Sequence, residues 1–253
     1  MKLTVLGRSG ACPNPGEACS GYLVEEGDTQ LLLDCGTGVV SRLQGVVDYR
    51  KVTAIVISHM HFDHFADLIP YTYGLKLGVP LTDGYRPTLY LPPNGKQILG
   101  KVVEQWPDLG RLVFDAFEVH EFDPEKQYTV GPLQVNFIST LHYVPCWGVS
   151  VIESGKKLAY SADAGPSEAL KLLAAGADLL LCEAALEARS GPGAWGHLSA
   201  KEAGETAATA SVKRLLLTHT WGHFDRARML AEARDAFKGP VEFAEEMKSY
   251  FIA

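Results

Sequence analysis

The sequence lacks a long apolar run. No stretch approaches the ~18 apolar residues of a membrane span, and the N-terminal MKLTVLGRSG has no extended apolar segment of the signal-peptide kind. A soluble, unsecreted, cytoplasmic protein without a membrane partner is the expectation. It also lacks a Cys-x-x-Cys pair. Its five cysteines, Cys12, Cys19, Cys35, Cys146 and Cys182, are odd in number, which argues against a disulfide framework and a thiolate zinc knuckle. There is no run of lysine or arginine, and 23 basic against 30 acidic residues leave a formal net charge of -7. Non-specific nucleic-acid binding needs clustered cations to displace phosphate counterions, so that class is disfavoured. A small anionic ligand neutralised by metal stays open. No linker, low-complexity stretch or short-period repeat divides the chain. Its 253 residues, 47% of them hydrophobic, suffice for one domain over 1–253 with a sizeable core.

What is present is densest at His59-Met60-His61-Phe62-Asp63-His64, where four of six side chains can bind a divalent metal. A β-forming run over 52–58 leads into it and a helix-like segment over 67–78 follows. Side chains at the end of a buried strand, where the backbone turns, can converge on one point outside a sheet.

Further strands are expected at 2–7, 21–25, 30–34, 88–91, 112–122, 128–130, 133–139, 148–153, 158–161, 178–182, 214–217 and 241–244. Helices are expected at 39–49, 65–77, 96–106, 167–175, 199–211 and 225–237. The helix over 65–77 is apolar on most sides, as a core helix or a homodimer face would be. Strands and helices alternate in both halves. The simplest packing is α+β, two mixed sheets face to face with helices outside.

Histidine and carboxylate ligands without cysteine suit a catalytic site for zinc, manganese or iron. His59 and His61 project to the same side of extended backbone. Asp63 and His64 follow the turn and can serve a second ion. Four residues cannot complete two shells, and the remaining candidates, His142, Asp163, His197 and His219, sit at strand ends or open loops. His120 reads as an exposed strand residue, and His223 as a helix cap or a support for the ligands. Trp147, Trp195 and Trp221 lie close to these histidines in sequence, as base-stacking platforms or as loop packing. The glycine loop at 7–10 reads as a tight turn.

The hexapeptide resembles the His-x-His-x-Asp-His signature of the metallo-β-lactamase superfamily, and the resemblance covers nearly the whole chain. Asp34-Cys35-Gly36 resembles the family's first motif, with Asp34 buttressing the metal loop. His142 resembles its third motif, Asp163 its bridging aspartate, and His219 its last histidine. His142-Tyr143-Val144-Pro145 is similar to a segment of the ribonuclease Z and phosphodiesterase branch, as are Glu183 and Gly196-His197-Leu198-Ser199.

The resemblance implies an αββα four-layer sandwich holding two divalent ions, zinc first, with manganese or iron as alternatives. His59, His61, His142 and Asp163 would hold one ion, and Asp63, His64, His219 and the shared Asp163 the other. It implies a hydrolase working through a metal-bridging hydroxide that Asp63 orients, with Glu183 and His197 protonating the leaving group. A phosphodiesterase acting on a small phosphodiester or nucleotide derivative is the reading. Thioester, lactone or lactam hydrolysis and ribonuclease Z-like RNA 3'-processing are the alternatives. The chain departs from ribonuclease Z in having short loops without the tRNA-gripping arm, and Gly148-Val149-Ser150 where a Gly-Tyr-Arg run is usual. Structured RNA is therefore the weaker partner, and His61 argues against a two-iron redox module.

Overall fold

The computed structural model describes residues 1–79, 84–187 and 194–252. Among them are strands β1 (Lys2–Gly7), β2 (Gly21–Glu26), β3 (Thr29–Leu33), β4 (Ala54–Val56), β5 (Thr88–Leu91), β6 (Glu118–Glu121) and β7 (Tyr128–Val130). There follow β8 (Leu133–Ser139), β9 (Trp147–Glu153), β10 (Lys156–Tyr160), β11 (Leu179–Glu183), β12 (Leu215–Thr218), β13 (Val241–Phe243) and β14 (Ser249–Phe251). The helices are α1 (Val39–Gln44), α2 (Phe62–Phe65), α3 (Leu68–Leu77), α4 (Gly95–Val103), α5 (Pro107–Ala116), α6 (Glu168–Ala174), α7 (Ala200–Thr209) and α8 (Arg226–Ala236). None of the described helices is long and apolar enough to cross a membrane.

The strands form two sheets, in the orders β14-β1-β2-β3-β4-β5-β6 and β13-β12-β11-β10-β9-β8-β7. Each is mixed: β14 to β3 pair antiparallel and β3 to β6 parallel. In the other, β7 to β10 pair antiparallel and β10 to β13 parallel. Strand alternation builds the layers. Leu31 and Leu33 of β3 and Leu179 and Leu181 of β11 meet in the core between the sheets. Leu32 faces outward against α1, α3, α4 and α5, and Leu180 and Cys182 face outward against α6, α7 and α8. Strands covered on both faces read as unbroken apolar runs, which is why these segments stand out in the sequence. The fold is the expected α+β sandwich, αββα.

Three expectations are corrected. Residues 112–122 do not form one strand: α5 ends at Ala116 and only Glu118–Glu121 are β. Leu109, Val113 and Ala116 recur at helical spacing and are buried on the outer face of the first sheet, so the 3.6-residue period prevails over the local alternation. Nor is the strand expected at 241–244 the last, since β14 returns to the first sheet, pairing Leu3 with Tyr250. A three-residue strand held by non-local pairing leaves little local signal. The helix expected over 65–77 divides into α2 and α3, with Leu68 and Tyr71 buried and Tyr73 and Leu77 exposed.

After β3 the chain runs against the hexapeptide. The Cys35 N–H donates to the His64 carbonyl at 2.7 Å, and the Asp67 N–H donates to the Cys35 carbonyl at 3.0 Å. At Gly36 a Cβ would lie 1.9 Å from the Asp63 carbonyl oxygen, so the approach requires glycine. Gly36→Ala is expected to lower the urea midpoint of unfolding, at a cost of about 1–3 kcal/mol. An unchanged midpoint would contradict this close packing of the two loops.

Candidate metal centre

The ligand-type side chains gather at one edge of the sandwich. The hexapeptide follows β4, His142 lies in the turn between β8 and β9, Asp163 follows β10 and His219 follows β12. Asp34, Ala162 and His219 adopt left-handed φ values of 58°, 51° and 54°. Such non-glycine backbone costs energy and is held only where surrounding contacts enforce it.

Two groups of facing atoms result. In the first are His59, His61, His142 and Asp163. His61 Nδ1 lies 3.1 Å from His59 Nε2 and 3.2 Å from His142 Nε2. Asp163 Oδ2 is 3.7 Å and 3.6 Å from those two Nε2 atoms. In the second are Asp63, His64 and His219. The Nε2 atoms of His64 and His219 face each other at 3.4 Å, and Asp63 Oδ2 is 3.4 Å and 3.1 Å from them. Asp163 Oδ1 lies 3.3 Å from both, so the two oxygens of one carboxylate address the two groups.

Partners on the far side of the rings fix their orientation. His64 Nδ1 donates to Asp34 Oδ2 at 2.7 Å, and His142 Nδ1 to the Gly196 carbonyl at 2.8 Å. His59 Nδ1 donates to Ser58 Oγ at 3.0 Å, which donates on to Asp34 Oδ2 at 2.9 Å. A proton committed at Nδ1 leaves the Nε2 lone pair aimed at the centre. Asp34 also accepts from the Ser58 N–H and from the Tyr160 hydroxyl, each at 2.7 Å. Tyr160 packs against Tyr22, whose hydroxyl is 2.7 Å from Thr218 Oγ1, just before His219.

The chemistry of these atoms fits divalent cations. Burial and the neighbouring His64 hold His59 well below its ordinary pKa, and burial lowers His142 to about 4. Both rings are therefore neutral and free to donate a lone pair. Burial opposes charge on His64, yet Asp163, Asp34 and Asp63 together hold it well above its ordinary value. Three carboxylates around one ring demand positive charge, and no lysine or arginine is among the cavity-lining residues described here. Asp163 Oδ1 is buried without a hydrogen-bond partner. An orphaned acceptor facing imidazole lone pairs is satisfied by a cation between them.

Beside these groups stands a carboxylate–imidazole pair. Glu183, at the end of β11, is fully buried. It accepts from the backbone N–H groups of Ala164, Ala185 and Leu198 at 2.7, 3.1 and 3.2 Å. His197 Nδ1 donates to its Oε1 at 2.8 Å. Burial alone would depress the His197 pKa, but the hydrogen bond and charge of Glu183, with Asp163 and Asp63 behind it, raise it to about 9. The helix that follows His197 is capped by Ser199, which forms a capping box with Glu202. His197 also has a ring nitrogen within reach of Asp163 and His219.

Every residue singled out for the site from the sequence lies at this edge. His120 is on β6 away from it, half exposed and 3.0 Å from Glu118. His223 is exposed beside Trp221. Trp147 is buried against Phe122, whereas Trp221 lines the cavity in front of the site. Sequence reasoning passed over Ser58, Tyr22 and Tyr160. Ser58 adjoins His59 and could have been found there. Tyr160 bonds a residue 126 positions away, with nothing local to mark it.

A profile for the beta-lactamase superfamily domain matches residues 29–220. The probable metallo-hydrolase YhfI of Bacillus subtilis is 34% identical over 258 residues, covering 100% of this chain and 99% of the relative. Its crystal structure, that of a metallo-beta-lactamase fold protein, superposes with a TM-score of 0.87 at 29% identity over 99% of both chains. Ribonuclease Z of Myxococcus xanthus is 27% identical over 303 residues, covering 96% of this chain and 95% of that one. Human tRNase Z, short form, shares the fold at a TM-score of 0.77 and 24% identity, with full coverage of both chains. The chain belongs to the β-lactamase superfamily, as a metallo-hydrolase related to ribonuclease Z.

Proposed function

We propose that the protein is a phosphodiesterase acting on a small phosphodiester or nucleotide derivative. In this reading His59, His61, His142 and Asp163 hold one divalent cation, zinc first, and Asp63, His64, His219 and Asp163 hold a second. Cations so held supply a nucleophile from water at neutral pH and offset charge on the substrate oxygens. The observation that carries the reading is the Glu183–His197 pair at 2.8 Å beside the candidate ligands.

The chain's own groups then divide the proton work. Asp63 lines the cavity with His61 and His219, where it orients the attacking water or accepts its proton. His197 lines the same cavity and is kept protonated by Glu183, so it can give that proton to a departing alkoxide. Glu183, saturated by three backbone N–H groups and His197, holds the ring and stays ionised. Thioester or lactone hydrolysis has less need of such an acid. The absence of lysine and arginine from the described cavity lining and the net charge of -7 favour a small substrate over RNA.

Asp163→Ala is expected to lower the metal content measured by elemental analysis and to abolish hydrolysis of bis-p-nitrophenyl phosphate. Retention of two metals per chain by this variant would contradict the shared carboxylate. A wild type that cleaves carbonyl esters but no phosphodiester would sink the assignment. His197→Ala should slow an alkyl leaving group by about 10²–10⁴-fold and p-nitrophenolate, which needs little protonation, far less. Equal slowing of both would remove the acid role. With alkyl esters, activity should fall as pH rises through the His197 pKa, because only the protonated ring can donate. Bound cations offset the contributions of Asp163 and Asp63, so that limb is expected between 6.5 and about 9. Glu183→Gln should move it to lower pH, and an unmoved limb would assign the titration elsewhere.

A further inference from the structure

Trp221 is a wall of two cavities. One, of about 240 Å³, is lined by candidate ligands together with Ala11, Ala185 and Leu186. The other, of about 360 Å³, lies against Pro13, Pro15 and His223. No lysine or arginine is among the described residues lining either cavity. Asn14 and Arg8, beside the indole, are already committed. Asn14 Nδ2 donates to Glu17 and to the Thr220 carbonyl at 2.8 and 3.0 Å, and Asn14 Oδ1 accepts from the Gly222 N–H at 2.6 Å. Arg8 is paired with Glu17 and donates to Thr220.

These bonds also fix the backbone that carries the indole. The Thr220 N–H donates to the Arg8 carbonyl at 3.1 Å, so the backbone is clamped on both sides of Trp221. An aromatic face with apolar prolines nearby, and no lysine or arginine among the described lining residues, suits an uncharged planar ring rather than a second phosphate or a sugar.

We propose that Trp221, with the Pro13–Pro15 turn, forms a subsite for an uncharged planar aromatic group carried by the ester, a nucleobase or similar heterocycle. This rests on the phosphodiesterase reading, which places the phosphoryl group at the candidate ligands. With Asn14 and Arg8 already bonded to protein groups, stacking on Trp221 is the main source of affinity for the base.

The test is to titrate the zinc-loaded protein with adenosine 5'-monophosphate and with ribose 5-phosphate, which differ only in the base. Calorimetry gives the affinities and tryptophan emission reports stacking. The nucleotide is expected to bind about ten-fold tighter or more, within the range that base–aromatic stacking supplies, and to quench emission. Trp221→Phe should keep most of the difference while losing the quench, since Trp106, Trp147 and Trp195 remain. Trp221→Ala should erase the difference. Equal wild-type affinities, absence of binding by either ligand, or a difference that survives Trp221→Ala would overturn the subsite. Hydrolysis of bis-p-nitrophenyl phosphate by the same samples reads the phosphodiesterase assignment separately.

Discussion

The carboxylate of Asp34 is wholly buried and accepts four hydrogen bonds, from Ser58 N–H, Ser58 Oγ, His64 Nδ1 and the Tyr160 hydroxyl. A hydrogen bond to a charged group contributes about 1.5–3 kcal/mol, and losing its partner leaves a buried charge unmet. Asp34 and the loop that it grips follow β3 and β4 of the first sheet, whereas Tyr160 ends a strand of the second. The interaction therefore ties the two halves of the sandwich where the candidate ligands gather. It also reaches both groups of ligands, His64 directly and His59 through Ser58. One carboxylate outside the centre thus sets the proton positions on rings belonging to each half of it.

The rest of the edge follows the same logic. Backbone that would relax if left alone, at Asp34, Ala162 and His219, is held left-handed at the ends of β3, β10 and β12. Packing and hydrogen bonds enforce these conformations, among them the Thr140 hydroxyl and the Cys146 thiol donating to the Asp163 carbonyl at 2.8 and 3.3 Å. The strained positions converge buried carboxylates and imidazoles with no lysine or arginine among the described residues that line the cavity. Such an arrangement is costly without a cation and favourable with one. In the proposed reaction, groups on the cation side activate water while Glu183 and His197 serve the departing oxygen, and Trp221 offers a face to what the ester carries.

Much of this was legible in the sequence because the informative features are local. Six adjacent residues from His59 to His64 carry four ligand-type side chains. Buried strands such as β11 and β12 announce themselves as apolar runs ending at Glu183 and just before His219. Their placement at one edge follows from strand ends and needs no tertiary information. What escaped was non-local or ambiguous in period. Tyr160, Tyr22 and β14 act through partners far away in the chain. The segment 112–122 carries alternation in its second half and a helical stripe in its first, and only the covered outer face of the sheet decides between them. Which histidine groups with which came from family resemblance, since spacing alone leaves the division between two shells open.

In the proposed centre, two cations share Asp163 at this edge. Anomalous diffraction at the zinc absorption edge, from crystals grown with zinc, tests it directly. Two peaks are expected, one among His59, His61, His142 and Asp163 and the other among Asp63, His64, His219 and Asp163. A single peak, or a second one that engages His197 in place of His64, would contradict it.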